Sequence, residues 1–298
     1  ITKARVHARN VTLENSIVSI NWRPFDKRWI IFDDTLIART NRRVLSSLLE
    51  KKSVALVAVR QLASLPFFHA FVSDNICDQH YVSTRTKEGG VVFPLHLKTT
   101  NNENLSPDFR AFIDARYDHV YTPEEILGYI YAVLHAPIYR STYADFLRID
   151  FPRIPFPECK RDFEALSELG WRLVQVHLLR EKPKGKLAAF HGKGTHEVDE
   201  VAYSEVENSV RINAGQCFKP VPQAVWDFHI GGYRVVEKYL KSRKGRRLTL
   251  DEIDHFAAIV KALAFTIEQM GRIDLAYCAA FGSSGKASRA DDLAAAPM

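Results

Sequence analysis

The apolar residues of this chain change their spacing after Pro107, and this change limits the folds that are open to it. Before that point, short β-branched and aromatic runs such as SIVSI, RWIIF and VALVAV are separated by turn residues, a pattern typical of strands. One helix is expected among them, over residues 41–52. After Pro107 the apolar residues recur at helical spacing. We therefore predict an α+β protein with a β-rich first part, a helical middle and a basic helical C-terminal part.

Two capping boxes mark where helices of the later chain begin. Thr122 and Glu125, with a proline between them at the first helical position, precede an apolar helical stretch that ends at Pro137. Thr249 and Glu252 form the same motif further along. The predicted helices of this part of the chain are 124–136, 139–149, 160–179, 232–243 and 250–270.

Strand-like runs return after residue 180, in KLAAF, VDEVAYS and SVRIN, before the last two helices. The final residues, GSSGKASRADDLAAAPM, are mostly small and polar, so we expect them to be frayed. The expected parts are 1–105 (β-rich), 106–180 (helical), 181–274 (basic, mixed strand and helix) and 275–298 (a disordered tail).

The chain is basic, and its basic residues are concentrated in two places. Lysine and arginine total 41 against 35 acidic residues, which makes polyanions plausible partners. One concentration is RVVEKYLKSRKGRR (234–247), and the other is REKPKGK (180–186) with the following FHGKGTH. Such runs either bind phosphates or form a solvated helix end and loop, and both interpretations stay open. The candidate phosphate contacts are Lys184, Lys186, Lys193, Lys241, Arg243, Lys244, Arg246 and Arg247.

Motifs of catalysis and of metal binding do not appear in the sequence. GKLAAFHGKG has neither the spacing nor the hydroxyl residue of a P-loop, and no G-x-G-x-x-G motif is present. A zinc site built on His69, Cys77 and His80 lacks a fourth ligand. A magnesium site built on Asp108, Glu158 and Lys160 would join residues far apart in sequence. We therefore expect no catalytic residue and no metal site in this chain.

The four cysteines lie far apart, with no C-x-x-C pair, which is typical of reduced thiols in a cytosolic protein. No apolar run reaches the length of a membrane span, and ITKARVHARN has no apolar signal-peptide core. A cytoplasmic location without a membrane partner is expected. Because the chain begins without methionine, we also expect it to be part of a longer protein.

A succession of segments then places the chain beside a known family. NWRPFDKRWIIFDD, HAFVSDNICD, NLSPDFRAFI, EEILGYIYAVLHAPIYRSTYADFLRIDFPRIPFP and VWDFHIGGYRVVEKYLKSRKGRRLTLDEIDHF occur in this order. They resemble the C-terminal target-recognition region of type ISP restriction-modification enzymes and of related single-chain adenine methyltransferases. The resemblance covers about residues 20 to 274, and its most specific stretches are 129–157 and 226–247.

The resemblance implies a function in sequence-specific recognition of double-stranded DNA. In the family this region follows a methyltransferase domain, which is itself preceded by helicase and nuclease domains. No motif of those domains occurs here, so the chain alone is not expected to be an enzyme. S-adenosylmethionine and ATP would serve the neighbouring domains, and no cofactor is expected in this chain. The alternative is the C-terminal part of an adenine-specific methyltransferase that acts as a docking or structural module without reading bases.

Base reading requires polar side chains on a rigid scaffold, because a side chain that makes two hydrogen bonds to one base edge distinguishes one base from another. The candidates are Arg60 and Gln61 at the end of the VALVAV run, and Ser73, Asp74 and Asn75 at the end of HAFV. An arginine can bind guanine and a glutamine can bind adenine in this way. The alternative is that Arg60 forms an internal salt bridge while Asp74 and Asn75 shape a turn.

Two arginines, Arg23 and Arg28, flank the proline turn of NWRPFDKRWIIF. We expect Phe25 and Trp29 to anchor this segment in the core and the arginines to lie at the strand entrance. One hypothesis is that at least one of them binds a phosphate where the domain meets the methyltransferase, as the target adenine leaves the base stack. The other is an internal ion pair with Asp26 or Asp33.

Overall fold

The computed structural model describes residues 16–34, 36–37, 40–97, 102–282, 285 and 293–295. The strands are β1 (Ile17–Arg23), β2 (Asp26–Ile31), β3 (Ala55–Val59), β4 (Ala70–Ser73), β5 (Gly90–Pro94), β6 (His96–Leu97), β7 (Asn102–Glu103), β8 (Arg153–Pro155), β9 (Ala189–His191), β10 (Ala202–Ser204), β11 (Ser209–Arg211), β12 (Cys217–Lys219), β13 (His229–Ile230), β14 (Tyr233–Arg234) and β15 (Leu293–Ala295). The helices are α1 (Arg42–Leu49), α2 (Pro107–Tyr117), α3 (Pro123–His135), α4 (Pro137–Thr142), α5 (Ala144–Ile149), α6 (Lys160–His177), α7 (Gln223–Trp226), α8 (Val235–Lys241) and α9 (Leu250–Phe281).

The first part of the fold is a hairpin packed on a small sheet. Strands β1 and β2 pair antiparallel, and β3 lies between β4 and β5 in an antiparallel sheet. A local core of Ile20, Phe32, Leu48, Ala55 and Ile76 joins the hairpin, α1 and the sheet. The hairpin turn buries Phe25, whose ring meets that of Phe71 edge to face with 5.2 Å between centroids. This turn therefore attaches the hairpin to the main core.

Helices α3 and α6 form the centre of the fold and cross at two glycines. A Cβ atom on Gly170 would overlap the carbonyl oxygen of Gly128, and one on Gly128 would overlap the carbonyl oxygen of Ser167. Only residues without a side chain allow the two backbones to approach so closely. Around the crossing, the ring of Tyr129 stacks on those of Phe156 and Phe163, at 5.1 Å and 4.5 Å between centroids.

The basic part is a four-stranded antiparallel sheet in the order β10, β11, β12, β9, which packs against the long helix α9. Phe218 on β12 lies 4.2 Å from Phe256 on α9, measured between ring centroids. The same hydrophobic cluster contains residues of the first sheet, of α3 and α6, and of this second sheet. The α+β prediction is confirmed, with small antiparallel sheets distributed along a helical centre.

Both capping boxes form as predicted, and the helix expected within 41–52 is α1. The stretch 139–149, predicted as one helix, is divided between α4 and α5 at Tyr143. Helix α9 continues to Phe281, past residue 275, where the sequence analysis places the start of the tail. Residues 283–284, 286–292 and 296–298 of the predicted tail lie outside the described residues.

The expectation that Trp29 anchors the hairpin in the core is wrong, since its side chain is 74% exposed. Trp29 pairs with Ser19 across the hairpin, and alternate residues of a strand point to opposite faces. The inner face holds Ile20 and Ile30, which pack toward the local core. Trp29 therefore lies on the outer face, and of the two residues expected to anchor the segment only Phe25 is buried.

Candidate nucleic-acid interface

Arg243, in the middle of the basic run 234–247, is an internal residue. Its side chain is 6% exposed and lies between two carboxylates, with Nη2 2.9 Å from Asp26 and Nε 2.9 Å from Glu252. The guanidinium also lies 3.5 Å from the centre of the Tyr239 ring. A cation buried in this way is not available to a ligand.

Neighbouring members of the run are also engaged in ion pairs. Arg246 binds Glu252, and Lys241 lies 2.7 Å from Glu237. Burial alone would raise the pKa of Glu252, but hydrogen bonds from Arg246, from the Thr249 backbone and from Arg243 lower it to about 2. Glu252 is therefore ionised throughout the physiological range, and much of this basic run stabilises the fold.

Five cations predicted as phosphate contacts are exposed and form no ion pair with any described carboxylate. They are Lys184, Lys186, Lys193, Lys244 and Arg247. Backbone hydrogen bonds join two of the loops that carry them, the loop of Lys193 and the loop of Lys244 and Arg247. Leu248 N donates to His196 O at 2.9 Å, and Gly245 N donates to Val198 O at 2.8 Å. The loop after β9 and the loop between α8 and α9 are therefore direct neighbours.

The four-stranded sheet adds further basic residues that the sequence analysis did not single out. His191, Cys217 and Arg211 are consecutive partners across β9, β12 and β11, so their side chains share one face. Lys219 lies on the same face, and Phe218 faces the core. In the sequence, the alternation of polar and apolar residues in AFH, SVR and CFK indicates such a face. Each run has only three residues, which is too short to predict a strand. We call the set Lys184, Lys186, His191, Lys193, Arg211, Lys219, Lys244 and Arg247 the basic surface.

Two candidate base-reading residues, Ser73 and Asn75, are buried and bonded within the fold. Asn21 Nδ2 donates to Ser73 Oγ at 2.6 Å, and Asn75 Nδ2 donates to Ser19 Oγ at 2.6 Å. These bonds attach the strand β1 to the end of β4. Because both side chains are enclosed, neither can reach a base edge, and they take no part in the proposals below.

The remaining base-reading candidates lie at opposite ends of one sheet. Ala58 pairs with Ala70 and Ala55 pairs with Ser73, so the end of β3 is remote from the end of β4. Since this register places Asp74 opposite Val54, Arg60 and Asp74 are roughly 20 Å apart along the strands at about 3.4 Å per residue. The five residues therefore do not form a single reading group. Asp74 carries ion pairs to Lys27 and Arg180, whereas Arg60 and Gln61 are exposed.

The two arginines at the hairpin both form internal ion pairs. Arg23 is buried, with Nη1 2.8 Å from Asp78, a partner that the sequence analysis did not name. Arg28 pairs with Asp26 at 3.0 Å, which is one of the two partners expected for it. These contacts favour the ion-pair hypothesis for both residues.

The described residues contain no group of three or more histidine, cysteine, aspartate or glutamate side chains placed to hold a metal ion. Of the former zinc candidates, His69 is instead buried beside Glu88, with 3.1 Å between its Nε2 and the carboxylate. Within the same part of the chain, no helix combines the length and apolar character needed to cross a membrane.

Comparison with known proteins gives one family and several related structures. The Type ISP C-terminal specificity domain family matches residues 2–272. A nuclease-deletion mutant of the Type ISP restriction-modification enzyme LlaGI, in complex with a DNA substrate mimic, superposes with a TM-score of 0.67 at 16% identity over 86% of this chain and 20% of that one. A DrdV–DNA complex gives 0.73 at 22% identity over 88% and 29%. The ATP-dependent Type ISP restriction-modification enzyme LlaBIII bound to DNA gives 0.70 at 15% identity over 87% and 18%.

At these identities the three structures show a common fold, and the chain spans less than a third of the length of each. No curated protein matches the chain.

Proposed function

The chain belongs to the Type ISP C-terminal specificity domain family, and we propose from this that it recognises a specific sequence in double-stranded DNA. The three structural relatives are described in complex with DNA or a DNA mimic, which supports the proposal. At their low identity the three structures share the fold with this chain and do not specify which sequence it recognises.

We also propose that the chain works as one part of a larger restriction-modification enzyme. Its relatives LlaGI and LlaBIII are restriction-modification enzymes several times its length, and the chain itself carries no motif for methyl transfer, helicase or nuclease activity. In this arrangement a methyltransferase domain would be its neighbour. S-adenosylmethionine and ATP would bind the other domains.

The observation that carries the proposal is the basic surface. Its members come from three loops and one face of the four-stranded sheet, two of the loops being joined by backbone hydrogen bonds, and none of its lysines or arginines pairs with a described carboxylate. Most other cations of the basic run 234–247 have such partners. Cations that the fold leaves unneutralised on one surface are what a phosphate backbone requires.

This proposal gives a quantitative expectation for the salt dependence of binding. Each phosphate contact contributes about 0.9 to the slope of log affinity against log salt concentration. If Lys184, Lys186, Lys193, Lys244 and Arg247 each meet one phosphate, their joint removal should lower that slope by roughly 4 to 5.

The test is selection of a bound site from a randomised duplex pool, followed by binding at several salt concentrations. The variant has glutamine at those five positions. Its control has glutamine at five exposed, ion-paired cations elsewhere: Arg42, Lys52, Lys160, Arg161 and Arg272. We expect an enriched site for the wild type and the control, and for the variant weaker binding with a salt slope smaller by roughly 4 to 5. Binding without an enriched site, or no binding, would overturn sequence recognition and leave the docking role.

A further inference from the structure

The end of β3 is fastened to the end of α5 by three contacts in succession. Arg60 Nε donates to Asp150 Oδ1 at 2.9 Å, Gln61 Nε2 lies 3.4 Å from Ile149 O, and Leu62 N donates to Arg148 O at 3.0 Å. The segment that follows a buried strand is thereby fixed on a helix terminus. Side chains held on such a scaffold keep the geometry that base recognition requires.

Asp150 orients Arg60 and is itself held in place. Its Oδ1 also accepts a hydrogen bond from Phe151 N at 2.9 Å. That backbone bond, followed by the bond from Arg60, lowers the pKa of Asp150, so the carboxylate stays charged. The contact uses Nε of Arg60 and leaves both terminal nitrogens without a partner among the described residues. Since the side chain is 66% exposed, the free edge of the guanidinium is open to a ligand.

The surroundings of Arg60 suit a base better than a phosphate. The residues on both sides of Asp150 in sequence line an open cavity of about 150 Å³, whose walls are mainly aromatic and include the side chains of Phe146 and Phe151 and one arginine, Arg153. Phe146 is 66% exposed. Apart from Arg153, the wall is apolar, and the plane of a base or the methyl group of thymine packs against a wall of this kind. An exposed ion pair also adds little stability, so the fold itself has little need of this one.

From this juxtaposition we propose that Arg60, positioned by Asp150, reads a guanine in the recognised duplex. The two terminal nitrogens would donate to guanine O6 and N7, the paired acceptors that distinguish guanine in the major groove. This inference rests on the proposed function. It separates the reading of bases, at the end of β3, from the holding of phosphates, on the basic surface.

The test compares sites selected from a randomised duplex pool by the wild-type chain and by three variants. R60Q and R60K remove the forked donor, and R60K keeps the charge. Both should lose the preference for guanine at one position of the site by about tenfold or more and keep the other positions. D150A should weaken the preference at that same position by a smaller factor, because it frees the arginine without removing it. R42Q is the matched control, since Arg42 is an exposed arginine whose Nε is likewise bonded to an exposed carboxylate, that of Asp34.

The outcomes separate this inference from the function on which it rests. An enriched site that R60Q and R60K leave unchanged overturns the role of Arg60 while sequence recognition stands. R60Q could instead weaken binding to every sequence equally, with R60K restoring the affinity. That result would identify Arg60 as a phosphate contact and would also overturn its role in reading guanine. If the wild type enriches no site, sequence recognition fails and this inference fails with it.

Discussion

The guanidinium of Arg243 lies 2.9 Å from the carboxylate of Asp26, although 217 positions separate the two residues in sequence. Both side chains are almost completely buried, at 6% and 1% exposure. The pair joins the turn of the first hairpin to the loop before the last helix.

Replacing Arg243 by alanine is expected to lower the free energy of unfolding by about 3–5 kcal/mol, because Asp26 would remain as a buried charge without its main partner. Urea denaturation measures the change. K244A, at the exposed neighbouring residue, should differ from wild type by no more than about 0.5 kcal/mol. Equal stability of the two variants would contradict the importance of the pair.

Stability should fall in acid in a way that depends on Glu252. The pKa of its carboxyl is lowered in the folded chain from 4.5 to about 2, so the folded state favours the charged form. The stabilisation is complete above pH 4.5 and is lost as the pH falls toward 2. E252Q is therefore expected to be less stable than wild type by roughly 1–3 kcal/mol at pH 7, with a difference that shrinks in acid. Urea titrations at several pH values measure it, and a difference independent of pH would contradict the expectation.

Two glycine substitutions should have opposite effects. A Cβ atom on Gly170 would overlap the backbone of α3. G170A is therefore expected to lower the free energy of unfolding by several kcal/mol, as the most damaging single substitutions do, or to prevent folding. Gly271 is exposed on α9, and beyond the backbone of its own helix no described atom lies within 4 Å of the added carbon, leaving aside its two chain neighbours. G271A should therefore stabilise the chain by about 0.5–1 kcal/mol. Thermal unfolding of both variants measures the contrast, and similar melting temperatures would be inconsistent with the helix crossing described.

S73A is expected to reduce stability without altering the selected DNA site. The Ser73 hydroxyl is enclosed, donates to Asn75 O at 2.7 Å and accepts from Asn21, so its loss leaves buried polar groups unpaired, at a cost of about 1–3 kcal/mol. Equilibrium unfolding and site selection on the same variant provide both readouts. A changed site with unchanged stability would restore Ser73 as a reader of bases.

Features that depend on neighbouring residues were predictable from the sequence. The capping boxes at Thr122 and Thr249 involve residues only three positions apart, and both form. The change from strands to helices after Pro107 is likewise a local pattern, and the α+β architecture follows from it. Local spacing is sufficient in these cases because the interacting groups are fixed by the geometry of one helical turn or one strand.

Features that depend on distant partners were not predictable. No local signal distinguishes Arg243, which pairs with Asp26, from the adjacent Lys244, which is exposed and forms no ion pair with a described residue. The orientation of Trp29 depends on which face of the hairpin meets α1 and the sheet, and a one-residue shift in register would reverse it. Arg211 and Lys219 join the basic surface only because three short strands pair in one register.

The hydrogen bonds between the loop of His196 and the loop of Leu248 have a practical consequence for engineering. The basic surface is discontinuous in sequence, so neither lysine-rich peptide reproduces it by itself. A graft onto another scaffold would need these two loops and the loop of Lys184 and Lys186, together with the sheet and the helix beneath them. The unit that could be transplanted is a folded block of the chain. Exchange of the short basic stretches alone should carry over their positive charges but not the spacing between them that matches a duplex.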